Sequence, residues 1–143
     1  MTELKENKSF DYDVALSFAG EDREYVEDVA TFLKDVGIKV FYDKFEADNL
    51  WGKNLYDHLQ DIYKNKANYT ILFISEHYKK KNWTTHERQS AQARAFKESR
   101  EYILPVRFDD TEMPGIHSTV GYLNAKEYSP IDIAKNFIKK IGF

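Results

Sequence analysis

The sequence predicts an α/β fold: a three-layer sandwich in which helices cover both faces of a five-stranded parallel sheet. Short apolar segments alternate along the chain with segments whose apolar residues recur at helical spacing. One apolar segment, 69–75, is almost wholly hydrophobic, as expected of a strand that is covered on both faces. Strands that alternate with helices favour parallel pairing with right-handed crossovers.

The predicted elements follow from apolar spacing and from residues that begin and end helices. A helix is predicted over 22–36, because its apolar stripe is closed by Gly37. A last helix is predicted to begin at Ser129 and Pro130, which favour helix starts. Two further helices are predicted, one around 55–63 and one, rich in alanine, over about 82–97. The strands are predicted at 12–18, 38–42, 69–75, 102–108 and, more weakly, 120–125.

Loops and one proline mark the less regular parts of the chain. The polar segment 44–52 and the stretch 109–118 are predicted to be loops. Pro105 falls within the fourth predicted strand, and proline cannot donate a hydrogen bond to a neighbouring strand. That strand is therefore expected near an edge of the sheet.

Composition excludes several classes of function. A formal net charge of −3 gives no electrostatic reason to bind nucleic acid or an anionic membrane. No apolar run approaches the length of a membrane-spanning helix, and residues 1–9 lack the apolar run of a signal peptide. The absence of cysteine excludes disulfides and thiolate metal sites, and it fits a cytoplasmic location. A chain of 143 residues predicts one domain, over 10–143, after a flexible segment, 1–9.

Several familiar motifs are absent from the sequence. There is no GxGxxG after the first strand and no GxxxxGK[ST], so neither a conventional dinucleotide fingerprint nor a P-loop is present. The four histidines lack metal-ligand spacing, and no metal site is predicted. A phospho-receiver domain would need an aspartate at the end of the third strand, where this chain has Ser75.

Candidate binding residues follow the ends of the first two strands. In parallel sheets, ligands bind outside the carboxyl ends of the strands, near the reversal of strand order. Phe18 ends the first predicted strand and Ala19 follows it, Asp43 follows the second strand, and Trp51 lies in the polar loop beyond. Phe18 also fits a core position, Asp43 a turn, and Trp51 a contact that holds the next helix to the sheet.

The segment after the third strand places a carboxylate beside a tryptophan. In a helix, Trp83 and Glu87 lie one turn apart on the same face. A flat aromatic surface beside a single carboxylate suits a planar, cationic ring attached to a sugar. Two other interpretations remain open, since Thr84 and Glu87 fit a capping box and Trp83 fits a core anchor.

Together these segments resemble the Toll/interleukin-1 receptor (TIR) domain family. The segment Phe10–Asp22 resembles the first conserved box, and its Ser-Phe-Ala-Gly-Glu-Asp sequence is similar to bacterial members. The loop Asp43–Leu55 resembles the loop that the family uses for ligand gating and self-association, although it lacks the usual proline. The segment 73–78, followed by Trp83-x-x-x-Glu87, resembles the third strand and the helix that bears the catalytic glutamate. The resemblance implies a flavodoxin-like arrangement of the three layers.

Enzymes of this family cleave the N-glycosidic bond of NAD+ and release nicotinamide. The resemblance therefore implies an NAD+ nucleosidase or cyclase with Glu87 as the catalytic residue and NAD+ as substrate rather than cofactor. One carboxylate suffices, because positive charge builds on the ribose while nicotinamide leaves as a neutral ring and needs no general acid. Glu87 is expected to stabilise that charge and to orient ribose hydroxyls. The residues expected to contact the substrate are Phe18, Ala19, Asp43, Trp51 and Trp83.

The resemblance also implies partners and a biological role. Bacterial members imply antiphage defence by signalling or by NAD+ depletion. A chain of this length is expected to carry no sensor domain, so activation is expected through TIR–TIR self-association or a separate sensor or effector protein. The product is left open among ADP-ribose, a cyclic isomer and an ADP-ribosyl conjugate. Two other classes also stay open: a non-catalytic TIR–TIR scaffold, and an enzyme resembling nucleoside deoxyribosyltransferases.

Overall fold

A computed structural model describes residues 10–80, 102–113, 116 and 120–143 of the chain. The strands are β1 (Tyr12–Ser17), β2 (Val40–Phe41), β3 (Ala67–Ile74), β4 (Ile103–Arg107) and β5 (Leu123–Asn124). The helices are α1 (Arg23–Asp35), α2 (Ala47–Leu50), α3 (Leu55–Asp61), α4 (Glu76–Lys79) and α5 (Pro130–Ile141). Two 3₁₀ turns, Gly20–Asp22 and Asp43–Glu46, follow β1 and β2, and a π-helical turn, Ile62–Lys66, extends α3. The helix predicted over 82–97 lies outside the described residues.

The five strands form one parallel sheet in the order β2-β1-β3-β4-β5, which confirms the predicted fold class. β1 lies between β2 and β3, so the chain leaves β1 toward one side and later returns on the other. The strand order therefore reverses at β1. In open parallel sheets this reversal is where ligands bind, beyond the carboxyl ends of the strands.

Helices α1 and α5 pack against each other and cover one face of the sheet. The Tyr25 hydroxyl of α1 donates a 2.6 Å hydrogen bond to the Tyr128 carbonyl oxygen just before α5. The connections from β1 to β2 and from β2 to β3 run in opposite directions along the sheet, so right-handed crossovers place α1 and α3 on opposite faces. The buried residues of α1 and α5 are Val26, Val29, Ala30, Leu33, Ile133, Ala134 and Phe137.

Helix α5 begins at Ser129 and Pro130, as predicted. The Ser129 hydroxyl accepts from the Asp132 amide at 3.2 Å, and the Asp132 carboxylate accepts from the Ser129 amide at 3.0 Å. This reciprocal pair is a capping box, with Pro130 at the first helical position. At the other end, Gly142 has a φ of 72°, a left-handed conformation that glycine adopts without steric cost.

Some predicted strand boundaries are wrong, because side chains and turns form hydrogen bonds with backbone groups that would otherwise bond to a neighbouring strand. β2 covers 40–41 rather than 38–42, since the Ile38 amide bonds the Leu33 carbonyl oxygen at the end of α1. The Lys39 amide bonds the Asp13 carboxylate at 2.9 Å. β3 begins at 67 rather than 69, and β5 is limited to two residues. The segment 44–52, predicted to be a loop, contains most of a 3₁₀ turn and all of α2.

Pro105 lies in β4, which is paired on both sides but lies next to the edge strand β5, in agreement with the expected position near an edge of the sheet. The Phe108 amide bonds β3, whereas the Arg107 carbonyl oxygen accepts from the segment after β5. Backbone groups alternate in direction along a strand, so the Pro105 nitrogen faces β5. Pairing between β4 and β5 begins only one residue later, at Val106. The N–H group that proline lacks therefore falls before the first residue of β4 that pairs with β5, so its absence interrupts no hydrogen bond between these strands.

Candidate functional site

An ion pair joins the ends of β1 and β2 at the carboxyl edge of the sheet. Arg23 is the first residue of α1, and Asp43 begins the turn after β2. The two guanidinium nitrogens Nη1 and Nη2 each donate a 2.8 Å hydrogen bond, to Asp43 Oδ1 and Oδ2 respectively. This bidentate geometry is the strongest form of an arginine–carboxylate contact. The pair fixes the start of the loop after β2 against the start of α1.

Aromatic rings lie against the same guanidinium. The Arg23 Cζ atom is 5.0 Å from the centroid of the Phe18 ring and 5.5 Å from that of Tyr42, within the range of cation–π contacts. The two rings are 5.7 Å apart. Phe18 is 9% exposed and belongs to the hydrophobic core, so its ring is both a core residue and a support for the arginine.

Tyr42 links this cluster to α1. Its hydroxyl accepts from Arg23 Nη1 at 3.0 Å and donates to the Glu27 carboxylate at 2.7 Å. Burial and the bond to Glu27 raise the pKa of the Tyr42 hydroxyl to about 12, so it stays protonated at neutral pH. The hydrogen bonds to Asp43 raise the pKa of Arg23, which stays charged. Lys44 also pairs with Glu27, at 3.1 Å.

A second polar network joins the ends of β1 and β3. The Ser75 hydroxyl donates to Asp22 Oδ2 at 2.6 Å and accepts from the Tyr78 amide at 3.2 Å, which caps α4. The hydroxyls of Ser17 and Tyr78 lie 2.7 Å apart in the interior. Helix α4 ends at Lys79, four residues before Trp83. The network therefore fixes the point from which the chain enters the segment that carries Trp83 and Glu87.

We expect Asp22→Asn to raise the free energy of unfolding at neutral pH. Burial raises the pKa of the Asp22 carboxyl above its ordinary value, so the folded state disfavours the ionised form. Since the folded state then binds the proton more tightly than the unfolded chain, stability falls as the pH rises from the ordinary value toward the raised one. Asparagine keeps an acceptor for the Ser75 hydroxyl but carries no charge.

Urea unfolding at neutral pH and at a pH below the ordinary value of 3.8 tests this expectation. The gain should be present at neutral pH and absent at the acidic pH. Asp28→Asn, at an exposed position of the adjacent helix α1, is the matched control and should change stability little at either pH. An equal gain at both pH values, or a loss at neutral pH, would contradict the argument.

The structure brings together some of the residues that the sequence nominated. Phe18 and Asp43 contact the same guanidinium. Ala19 is fully buried in a separate hydrophobic cluster that includes Leu72 and Tyr78, and its carbonyl oxygen accepts from the Asp22 amide at 2.9 Å. Trp51 is 89% exposed and stands in solvent rather than against the guanidinium. Trp83 and Glu87 lie outside the described residues.

The loop after Asp43 turns back along the edge of the sheet. Glu46 accepts a 3.0 Å hydrogen bond from the hydroxyl of Tyr12, which begins β1. The loop therefore leads from the carboxyl edge toward the amino edge before it reaches Trp51. Trp51 lies five positions beyond Glu46, and its side chain is exposed to solvent.

Arg23 is the site residue that sequence reasoning missed. Apolar spacing assigns Arg23 only to the predicted helix 22–36, and nothing in its local pattern distinguishes it from a solvated helix residue. The available signal was a basic residue directly after the turn that follows β1, together with an acid directly after the predicted strand 38–42.

Among the residues that the structure describes, no group of three or more histidine, aspartate and glutamate side chains is arranged to hold a metal ion. Within the same residues, no helix has the length and apolar character needed to cross a membrane.

The chain forms an α/β domain whose strand order reverses at β1, the position at which open parallel sheets bind ligands. The chain belongs to the TIR domain family, whose model matches residues 14–138. The TIR domain of the Toll-related receptor TRR-2 from Hydra magnipapillata superposes with a TM-score of 0.68, at 27% sequence identity, covering 92% of this chain and 99% of that one.

Two curated relatives are cyclases by name. The 3′ cyclic ADP-D-ribose synthase AaTIR of Aquimarina amphilecti is 64% identical over 137 residues, 94% of this chain and 42% of the relative. The 2′ cyclic ADP-D-ribose synthase BtTIR of Bacteroides thetaiotaomicron is 38% identical over 99 residues, 66% of this chain and 32% of the relative. The chain therefore spans less than half the length of either relative.

Proposed function

We propose that this chain cleaves the nicotinamide–ribose bond of NAD+ and forms a cyclic ADP-ribose isomer. The observation that carries the proposal is the 64% identity, over 94% of the chain, to a 3′ cyclic ADP-D-ribose synthase. A cytoplasmic location and a role in antiphage defence, with self-association or a separate sensor protein as the trigger, belong to the same proposal.

In the proposed reaction, the bond between the anomeric carbon of the ribose and the nicotinamide nitrogen breaks. Its electron pair goes to the ring nitrogen, so nicotinamide leaves neutral and positive charge develops on the ribose. A hydroxyl of the same molecule then attacks the anomeric carbon and gives its proton to solvent, which closes the cyclic product. If water attacks instead, ADP-ribose forms. Exclusion of water from the site therefore selects between cyclisation and hydrolysis.

Glu87 is proposed as the catalytic residue, because a fixed carboxylate beside the ribose stabilises the charge that develops there. Asp43 is proposed to orient a ribose hydroxyl or the amide, and Trp83 to stack on a flat ring. Support for Asp43 comes from its position at the carboxyl end of β2, next to Phe18 through their shared contact with Arg23.

Incubation of concentrated protein with NAD+, followed by chromatography, tests the proposal. We expect nicotinamide to appear together with a cyclic ADP-ribose isomer, at a rate that rises more steeply than protein concentration if self-association activates the enzyme. ADP-ribose in place of the cyclic product would retain NAD+ cleavage but overturn the cyclase assignment. Absence of nicotinamide at every concentration would overturn the enzyme proposal, and turnover of 2′-deoxynucleosides instead would favour the deoxyribosyltransferase-like alternative.

One observation favours a second candidate, a TIR–TIR scaffold. Trp51 is 89% exposed and Leu55 is 51% exposed, so the loop that resembles the family's self-association loop presents apolar surface to solvent. Trp51→Ala tests whether the chain assembles through this surface, and nicotinamide release by the wild-type protein distinguishes the two functions. If the chain assembles through Trp51 but wild-type protein releases no nicotinamide, the scaffold is the better account.

A further inference from the structure

The Arg23 guanidinium lies at the carboxyl edge of the sheet, beside β1, where the strand order reverses. It contacts Phe18 and Asp43, two of the residues expected to bind the substrate. The side chain of Arg23 is 32% exposed and that of Asp43 is 40% exposed, so solvent and ligands reach the pair. The ion pair is therefore accessible rather than sealed in the core.

The diphosphate of NAD+ needs a positive partner at this edge. The other described charged groups near the carboxyl edge are mixed: the acids Glu21, Asp22, Glu76 and Asp109 accompany Lys44, which pairs with Glu27, and the lysines Lys79 and Lys80 at the end of α4. The acids repel a diphosphate, so a cation close to the candidate binding residues is its favoured partner. Arg23 also begins a 13-residue helix, whose amino end favours anions.

The arginine fork fits a phosphate as well as it fits a carboxylate. A guanidinium presents parallel N–H groups that bind either group in the same bidentate way. In the structure those groups are directed at both oxygens of Asp43. Because Asp43 is partly exposed, a phosphate can replace it on the same donors without burying an unpaired charge.

We propose that Arg23 binds the diphosphate of the nucleotide and that Asp43 holds the guanidinium in position until the nucleotide arrives. The inference rests on the proposed function and adds a diphosphate-binding residue to it. When the phosphate replaces the carboxylate on the N–H groups of Arg23, the Asp43 side chain is released beside the ribose. The loop after β2 then loses the contact that ties its first residue to α1, so nucleotide binding is coupled to a change in that loop.

A simpler role for Arg23 is to position Asp43 and the loop without touching the ligand. The two roles predict opposite behaviour for Asp43→Asn when the ligand carries a diphosphate but no nicotinamide ribose. If Arg23 binds phosphate, loss of the competing carboxylate leaves binding unchanged or tightens it. If Arg23 only positions the loop, Arg23→Gln and Asp43→Asn each break the ion pair, and both weaken binding of this ligand to the same extent.

Calorimetric titration of the full chain with ADP tests the inference, with adenosine as the ligand that lacks phosphate. We expect Arg23→Gln to raise the Kd for ADP about 10- to 100-fold, the loss typical of a charged hydrogen bond, and to flatten its salt dependence. Arg23→Lys should recover part of the affinity, since it keeps the charge but not the fork. Asp43→Asn should bind ADP at least as tightly as wild type. None of these variants should change adenosine binding.

Lys66→Gln is the matched control, because it removes the same charge directly before β3, at the opposite edge of the sheet. It should leave the Kd for ADP unchanged, and thermal unfolding of every variant checks that it is folded. Equal weakening by Arg23→Gln and Asp43→Asn, no effect of Arg23→Gln, or no ADP binding by wild type would each overturn the inference. NAD+ cleavage is measured separately, so failure of the enzyme proposal leaves a positive or negative ADP result intact.

Discussion

Glu87→Gln is expected to lower the rate of nicotinamide release about 100- to 1000-fold, the loss typical of removing one electrostatic stabiliser of a transition state. Glutamine keeps the size of the side chain and most of its hydrogen bonding but carries no charge. Positive charge that develops on the ribose then has no fixed counter-charge. Since the ribose carries no such charge before the glycosidic bond begins to break, the KM for NAD+ should change much less than kcat.

Steady-state assays of wild type, Glu87→Gln and Asp35→Asn measure this effect. Asp35 is exposed at the last residue of α1, the end of the helix opposite Arg23, and its variant loses the same charge, so it should retain wild-type rates. Equal nicotinamide release from wild type and Glu87→Gln would remove Glu87 from the catalytic role. The capping-box interpretation, by contrast, predicts a loss of about 1 kcal/mol of stability and no selective loss of kcat.

Local sequence patterns predicted the sheet because the burial of a strand is visible in its apolar residues. β3 is buried on both faces, and its hydrophobic run is visible without any knowledge of its neighbours. The start of α5 was likewise predictable, because Ser129 and Pro130 act within a single turn. The same logic nominated Phe18 and Asp43, which directly follow strands whose carboxyl ends meet at one edge.

The contacts that organise that edge were not predictable in the same way. Arg23 and Asp43 are 20 positions apart, and Asp22 and Ser75 are 53 apart. Apolar periodicity reports which face of an element is buried, but it does not say which partner a polar side chain finds across the fold. Such partners depend on strand order, and strand order is a property of the whole sheet.

Phe73→Ala is expected to lower the free energy of unfolding by about 3–5 kcal/mol, the usual cost of removing a buried phenyl ring. Phe73 is fully buried in β3, opposite Val106 of β4. Its ring centroid is 6.3 Å from that of Phe108 and 6.3 Å from that of Tyr25. Alanine would leave a cavity between β3, α1 and the end of β4. The neighbouring rings of Tyr25 and Phe108 cannot easily move to fill it.

The loss should appear in urea unfolding as a lower midpoint with an unchanged slope, because the surface exposed on unfolding stays nearly the same. Phe143→Ala removes the same ring at a position that is 64% exposed, and it should cost less than about 0.5 kcal/mol. Natural domains are stable by only about 5–15 kcal/mol, so the Phe73 variant would lose a large part of its total stability. A loss below about 1 kcal/mol for Phe73→Ala would contradict the close packing of these three rings.

Because Phe73 lies two residues before Ser75, the variant should also loosen the α4 cap that leads toward Glu87, and its kcat should fall at temperatures where it remains folded.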